Sequence, residues 1–278
     1  MSGGFDLVDI GANLTHPAFR DDADEVIARA RQAGVSTIIV TSTTVDESEK
    51  ALALAESHPG VLFATAGVHP HHARDCGPDS IIKLKDLLSD RRVVALGECG
   101  LDFNRNYSPR PDQEKCFVAQ LELASHFKEP LFLHSRDAHP RFAQILKHHQ
   151  VKNAVAHCFT GGKEELHAYL DLGLYIGVTG WICDERRGRH LLELVREIPR
   201  DRLLLETDSP YLTPRDLRPQ PRGRRNEPAF LPHIAQTVAR AVGRPVADVA
   251  AETSRNARTL FAIDESRSSA AAKRSPAA

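Results

Sequence analysis

An α/β fold of the TIM (β/α)8 barrel type is predicted by three observations. Short apolar runs alternate with longer amphipathic segments along nearly all of the 278-residue chain, and eight such runs can be counted. Each intervening helix must carry the chain back across the sheet, so the strands pair in parallel, and eight βα units close into a barrel. A doubly wound open sheet would usually place a glycine-rich phosphate loop after its first strand, and Gly11-Ala12-Asn13-Leu14 is not one.

The strands are read at 6–10, 36–41, 61–66, 93–97, 130–134, 153–157, 174–178 and 203–207. The fourth, Val93-Val94-Ala95-Leu96-Gly97, is uncharged throughout and reads as buried on both faces; it runs straight into Glu98. Helical periodicity falls at 21–33, 46–57, 79–89, 112–128, 138–149, 163–171 and 188–197. Asp46 with Glu49 three residues on, and Asp79, are the expected helix openers. A proline- and arginine-rich stretch at 208–228 follows the eighth strand, then two more helices at 229–242 and 246–261. The prediction is one barrel domain over 1–262 and a disordered tail over 263–278, which lacks apolar periodicity.

Hydrophobic content of 41% and charged content of 26% are those of a globular chain with a real core. The net charge of −1 advertises no polyanion partner, so nucleic-acid contact would have to come from a local basic patch. Five scattered cysteines without a C-x-x-C pair argue against a disulfide framework or a zinc ribbon and for reduced thiols in the cytoplasm. No secretory leader, membrane span, membrane partner or obligate protein partner is read.

In such a barrel the C-terminal strand ends share one rim, where active sites are built. Those ends supply Asp9 and Asn13, His69 and His71, Glu98, His134, His157 and Asp208. Carboxylates and imidazoles gathered there make a divalent-metal site. Each residue also has a plain structural reading: His134 bonding a turn, Asp208 capping one, and the glycines after His157 serving loop geometry. In His69-Pro70-His71-His72 the proline ends the strand, so His69 is read as a phosphate or substrate contact and His71 and His72 as solvated loop. Five arginines between 214 and 228, with Arg215, Arg224 and Arg225 singled out, suit a phosphodiester chain, as do Arg105 and Arg136. A solvated loop held by prolines is the alternative. Phe103, Phe159, Trp181 and Tyr211 are candidate base-stacking residues or core.

The segments Gly-Val-His-Pro-His (67–71), Gly-Glu-Cys-Gly-Leu-Asp-Phe (97–103), His-Ser-Arg-Asp-Ala (134–138), His-Cys-Phe-Thr-Gly (157–161), Tyr-Ile-Gly-Val-Thr-Gly (175–180) and Leu-Glu-Thr-Asp-Ser-Pro-Tyr-Leu (205–212) resemble, in order, the signatures of the TatD family of metal-dependent hydrolases. That resemblance implies a magnesium-dependent 3′→5′ exonuclease acting on single-stranded DNA and RNA, linked to DNA repair. It also implies Glu98, His134 and His157 as metal ligands and Asp208 as the catalytic aspartate, with Glu98 shared between metal binding and catalysis. The broader family carries an H-x-H pair at the end of the first strand; here those positions are Gly11 and Asn13. One ion is therefore expected and the other site is weakened or absent, with Mg²⁺ or Mn²⁺ favoured over Zn²⁺. A carbonyl hydrolase on the same barrel, or a nucleic-acid binder without catalysis, are the rival readings.

Overall fold

Every predicted apolar run becomes a strand, because each is buried along most of its length. The computed structural model describes residues 6–263. The expected tail falls outside them except for Ile263, which is buried. The strands are β1 (Leu7–Ala12), β2 (Val35–Val40), β3 (Leu62–Ala66), β4 (Val93–Asp102), β5 (Leu131–Arg136), β6 (Ala154–Ala156), β7 (Tyr175–Val178) and β8 (Leu203–Leu205). They lie in one sheet in chain order, and a parallel bridge from Ala12 to Ser209 brings the end of β8 back to β1. That order, with a helix between neighbours, is the (β/α)8 topology. The helices are α1 (Ala23–Gln32), α2 (Val45–Ser57), α3 (Pro78–Leu88), α4 (Arg110–Ala124), α5 (His139–His148), α6 (Lys163–Asp171), α7 (Arg189–Leu194), α8 (Leu231–Val242) and α9 (Val246–Leu260).

Two compact units can be distinguished among the described residues: 40–156 with 258–263, and 6–39 with 157–257. In the first, Phe63, Phe117, Phe132 and Phe142 are fully buried, and Phe117 and Phe142 stack with centroids 5.4 Å apart. Burial of each such side chain is worth about 1.5–3 kcal/mol. Two buried glutamines of α4 hold the strand ends in place. Gln120 Nε2 donates to the Val68 carbonyl at 2.9 Å while its Oε1 accepts from Val68 N–H at 2.8 Å. Gln113 does the same for Asp102, accepting from its N–H at 2.8 Å and donating to its carbonyl at 3.1 Å. In the other unit the core is drawn from Leu7, Ile10, Phe19, Ile176, Leu204, Ile234 and Val238.

Several boundaries differ from the sequence reading, and four of the differences have a plain local reason. β4 runs to Asp102 instead of stopping at Gly97. Gly97 pairs with Phe132 and Cys99 with Leu133, so Glu98 is the extra residue of a bulge. Gly97, at φ 147°, also admits the Phe132 carbonyl, which a Cβ there would meet at 2.2 Å. Gly100, at the same φ, admits the His134 carbonyl, 1.9 Å from such a Cβ. A bulge between glycines reads in sequence as a turn. β8 stops at Leu205 because the Thr207 N–H goes to Asp9 Oδ1 at 2.9 Å instead of to a ladder. Helix α2 is capped by Thr44, whose hydroxyl accepts from Glu47 N–H at 3.1 Å, two residues ahead of the expected Asp46. Asp79 lies in the first turn of α3, behind Gly77 at the N-cap and Pro78 at the first helical position.

Candidate metal centre and catalytic groups

The bulge in β4 re-aims one carboxylate, and ring nitrogens from two other segments meet it. Glu98 N–H leaves the ladder to donate to the Ser42 carbonyl at 3.0 Å. Glu98 Oε1 then lies 2.8 Å from His134 Nδ1 and 3.3 Å from His69 Nε2. Ligand atoms of His69, Glu98 and His134 all fall within 4.8 Å of one another, with Glu98 and His69 buried.

The two rings do not play the same part. His69 caps a short 3₁₀ helix, Pro70–Asp75, by accepting the His71 N–H at its Nδ1, 3.0 Å away. Burial pushes the His69 pKa down to about 4, against the pull of the Glu98 charge. The ring is therefore neutral with a single proton, and the capping bond confines that proton to Nε2. His69 is built to donate toward Glu98 or another anionic oxygen. His134 turns its Nδ1 to Glu98 Oε1, so His134 and Glu98 would be the better ligands. Their donor set, a carboxylate and an imidazole, fits a divalent ion, which would displace the proton shared between Nδ1 and Oε1.

Behind this cluster stands Asp102, buried at the end of β4. Its Oδ2 accepts from His71 Nε2 at 2.7 Å and lies 3.6 Å from His134 Nε2, an electrostatic neighbour and not a hydrogen-bond partner. Its Oδ1 accepts from the Asn104 and Arg105 amides at 3.0 and 2.8 Å. Burial pushes the Asp102 carboxyl up, yet His134, His71 and the Arg105 amide outweigh it and hold the group well below the usual carboxylate range. His71 is thus a partnered residue, packed at 4.7 Å against the exposed ring of Tyr107, and not solvated loop. Neither Asp102 nor Tyr107 was singled out from sequence. Asp102 sits inside the quoted motif and Tyr107 beside it, but neither ends an apolar run.

The other unit carries its own constellation. Asp9, fully buried, accepts from Thr207 N–H at 2.9 Å, Thr207 Oγ1 at 2.6 Å and Gly11 N–H at 3.2 Å. Burial pushes Asp9 up to about 7 in spite of those bonds. Asn13 Nδ2 donates to Asp208 Oδ1 at 3.0 Å and to the Ser209 carbonyl at 3.2 Å. At a position where the resemblance implies a histidine, this chain has an amide that holds the aspartate. His157 Nδ1 lies 3.3 Å from Glu206 Oε2, while the Cys158 N–H donates to Glu206 Oε1 at 2.5 Å. Glu206, wholly buried, is the first polar residue after the Leu203-Leu204-Leu205 run. The pattern that picks out Glu98 picks it out too.

The predicted arginines divide. Arg225 is spent on Asp22 and Glu227, at 2.6 and 2.7 Å. Arg215 lies 3.6 Å from both Asp184 and Glu185. Arg105 and Arg224 are exposed, and Arg136 is half-buried at the end of β5. Among the candidate stacking residues Phe159 is buried, Phe103 lies under the Arg110 guanidinium at 4.4 Å, Trp181 is half-buried and Tyr211 is exposed.

The pattern defining the family described as TatD related DNase matches residues 8–262. This chain belongs to that family. Among TatD relatives, "3'-5' ssDNA/RNA exonuclease TatD" of Erwinia tasmaniensis is 54% identical over 257 residues, covering 92% of this chain and 99% of its own. The protein of the same name in Klebsiella pneumoniae is 52% identical over 260 residues, 93% of this chain and 98% of its own. A solved TatD homolog from Escherichia coli superposes with a TM-score of 0.85 at 30% identity, covering 93% and 98% of the two chains. A TatD family hydrolase from Entamoeba histolytica has the same TM-score at 27% identity, covering 95% and 100%. The TatD-type fold of this chain is the TIM barrel, and the chain is a metal-dependent nuclease of that family, a hydrolase acting on ester bonds. No helix among the described residues is long and apolar enough to cross a membrane.

Proposed function

We propose that this protein removes nucleotides one at a time from the 3′ end of single-stranded DNA and RNA, with Mg²⁺ or Mn²⁺ as the working ion. The observation that carries the reading is the aim of Glu98, turned by a bulge between two glycines onto His134 and His69. The named activity of relatives above 50% identical supports the polarity and the substrates.

Glu98 and His134 would hold the ion, through a hard carboxylate oxygen and a single imidazole with room left for water. An ion held there would supply Lewis-acid polarisation of a phosphate oxygen and make a nearby water more acidic. His69, neutral and committed to donating from Nε2, is suited to an anionic oxygen, whether of Glu98 or of a phosphate. Asp102 orients His71 and keeps negative charge beside His134, which strengthens that ring as a ligand. Asp208, steadied by Asn13, is proposed to accept the proton of the attacking water, and His157 is proposed as a further requirement for metal binding. Tyr107, exposed and already packed on His71, offers a face for a base, while Arg105, Arg136, Arg215 and Arg224 meet phosphates. No disulfide links the five cysteines, which suits a cytoplasmic enzyme, and a part in DNA repair is compatible with single-strand trimming.

Digestion of single strands labelled at the 5′ or the 3′ end, with Mg²⁺, Mn²⁺, Zn²⁺ or EDTA, tests the proposal. A 5′ label should step down a ladder while a 3′ label is released at once, and EDTA should stop both. Early release of the 5′ label, or equal activity in EDTA, overturns it.

A further inference from the structure

A second group of side chains of metal-ligand type shares no residue with the Glu98 cluster. The 3₁₀ helix Gly180–Cys183, N-capped by Thr179, ends on Cys183; the proline-rich stretch supplies Asp216; and α8 supplies His233. One ligand atom from each lies within 4.8 Å of the others. His233 Nε2 is 2.7 Å from Asp216 Oδ1, and the Cys183 thiol donates to Thr237 Oγ1 at 3.5 Å.

We propose that Cys183, Asp216 and His233 form a binding site for a thiophilic divalent cation, of which Zn²⁺ is the type. Thiolate, carboxylate and imidazole are the three donor classes that zinc accepts together, and a thiolate plus a carboxylate cancel its two charges. Hard Mg²⁺ has no use for the sulfur. Metal binding would replace two proton-mediated contacts, the thiol proton of Cys183 and the proton bridging His233 to Asp216. Arg240 lies 4.0 Å from the other Asp216 oxygen, Oδ2, and can remain there while Oδ1 ligates. Cys183 and Asp216 border a pocket of about 350 Å³, together with Glu185 and Arg196, in which a water would have room to complete the donor set. Three donors from three separate segments make such an ion a clip: it would tie the arginine-bearing stretch to α8.

Cobalt is the probe, because a thiolate ligand gives Co²⁺ an intense near-ultraviolet charge-transfer band that carboxylate and imidazole ligands do not. Full-length protein freed of metal by chelation is titrated with Co²⁺ and then with Zn²⁺. The wild type should show the band, saturate at one equivalent and lose it to Zn²⁺. Glu98→Ala should keep the band, separating this site from the proposed reaction centre. Cys183→Ser should abolish it and Cys158→Ser leave it intact. His233→Ala, at a partly exposed position and therefore tolerant of change, should weaken Co²⁺ binding at least tenfold. Zn²⁺ should raise the melting temperature of Glu98→Ala but not of Glu98→Ala/Cys183→Ser. Absence of the band in the wild type, its survival in Cys183→Ser, or unaltered affinity in His233→Ala overturns the proposal.

Discussion

The clusters around Glu98 and around Asp9 each centre on a buried carboxylate and do opposite things. At Glu98, carboxylate oxygens face ring nitrogens, whose protons a cation can displace. At Asp9, the carboxylate is enclosed by two backbone amides and a hydroxyl, donors that no metal replaces. Asn13 extends the contrast, since its amide points a donor at Asp208 where an imidazole would offer a lone pair. Ligand-type residues at strand ends are thus only half of a metal site. The other half is what already bonds to them.

The sharpest break of that contrast is Glu98→Ala. Loss of the ion should cost several kcal/mol of transition-state stabilisation, about 10³-fold or more in turnover, with the circular dichroism unchanged. Retained activity would sink the assignment of the metal to this cluster. Asp208→Asn comes next, with roughly 10²-fold loss in turnover and little change in Mg²⁺ affinity, as for a proton acceptor that holds no metal. Asp102→Asn should weaken Mg²⁺ activation about 10- to 100-fold, recoverable in part at high Mg²⁺, because it acts through the His71 ring it orients and the charge it keeps beside His134.

Asp9 sharpens the comparison through stability. Its pKa, raised from 3.8 to about 7 in the folded chain, means the native state holds a proton that the unfolded state releases. That contribution is complete below pH 3.8 and disappears as pH rises through about 7. The total is on the order of 4 kcal/mol at about 1.4 kcal/mol per pKa unit. Urea unfolding from pH 4 to 8 should show this falling component in the wild type, and Asp9→Asn should flatten it. The smallest effect separates two neighbouring arginines. Arg224→Ala, at an exposed side chain, should lower the salt slope of single-strand binding by about 0.7, whereas Arg225→Ala, its charge already paired, should scarcely alter it.

The strands and helices were legible in the sequence because burial wrote each strand as an apolar run. Most of the places that were not legible share one cause. Bonds from side chain to backbone leave no periodic trace: Thr44 rather than Asp46 caps α2, and Asp9 draws Thr207 out of β8. Within the candidate centre, Glu98 and His134 could be named from strand-end position, and contact between them follows from the adjacent strands β4 and β5. The division of labour between His69 and His134 could not, since it depends on one amide reaching one ring nitrogen. Asp102 and Glu206 were passed over for a different reason. Each lies within a motif that also holds another carboxylate of ligand type, Glu98 in one and Asp208 in the other.

The paired glycines of β4 carry a lesson for anyone who surveys this gene by saturation mutagenesis. Nearly every replacement at codons 97 and 100 will score as inactive, as severely as at codon 98, although what these glycines supply is room for the Phe132 and His134 carbonyls and no reacting side chain. A map of intolerance will therefore outline the corridor through which β5 passes as clearly as it outlines the reactive groups. The two can be told apart only by asking which dead variants still fold.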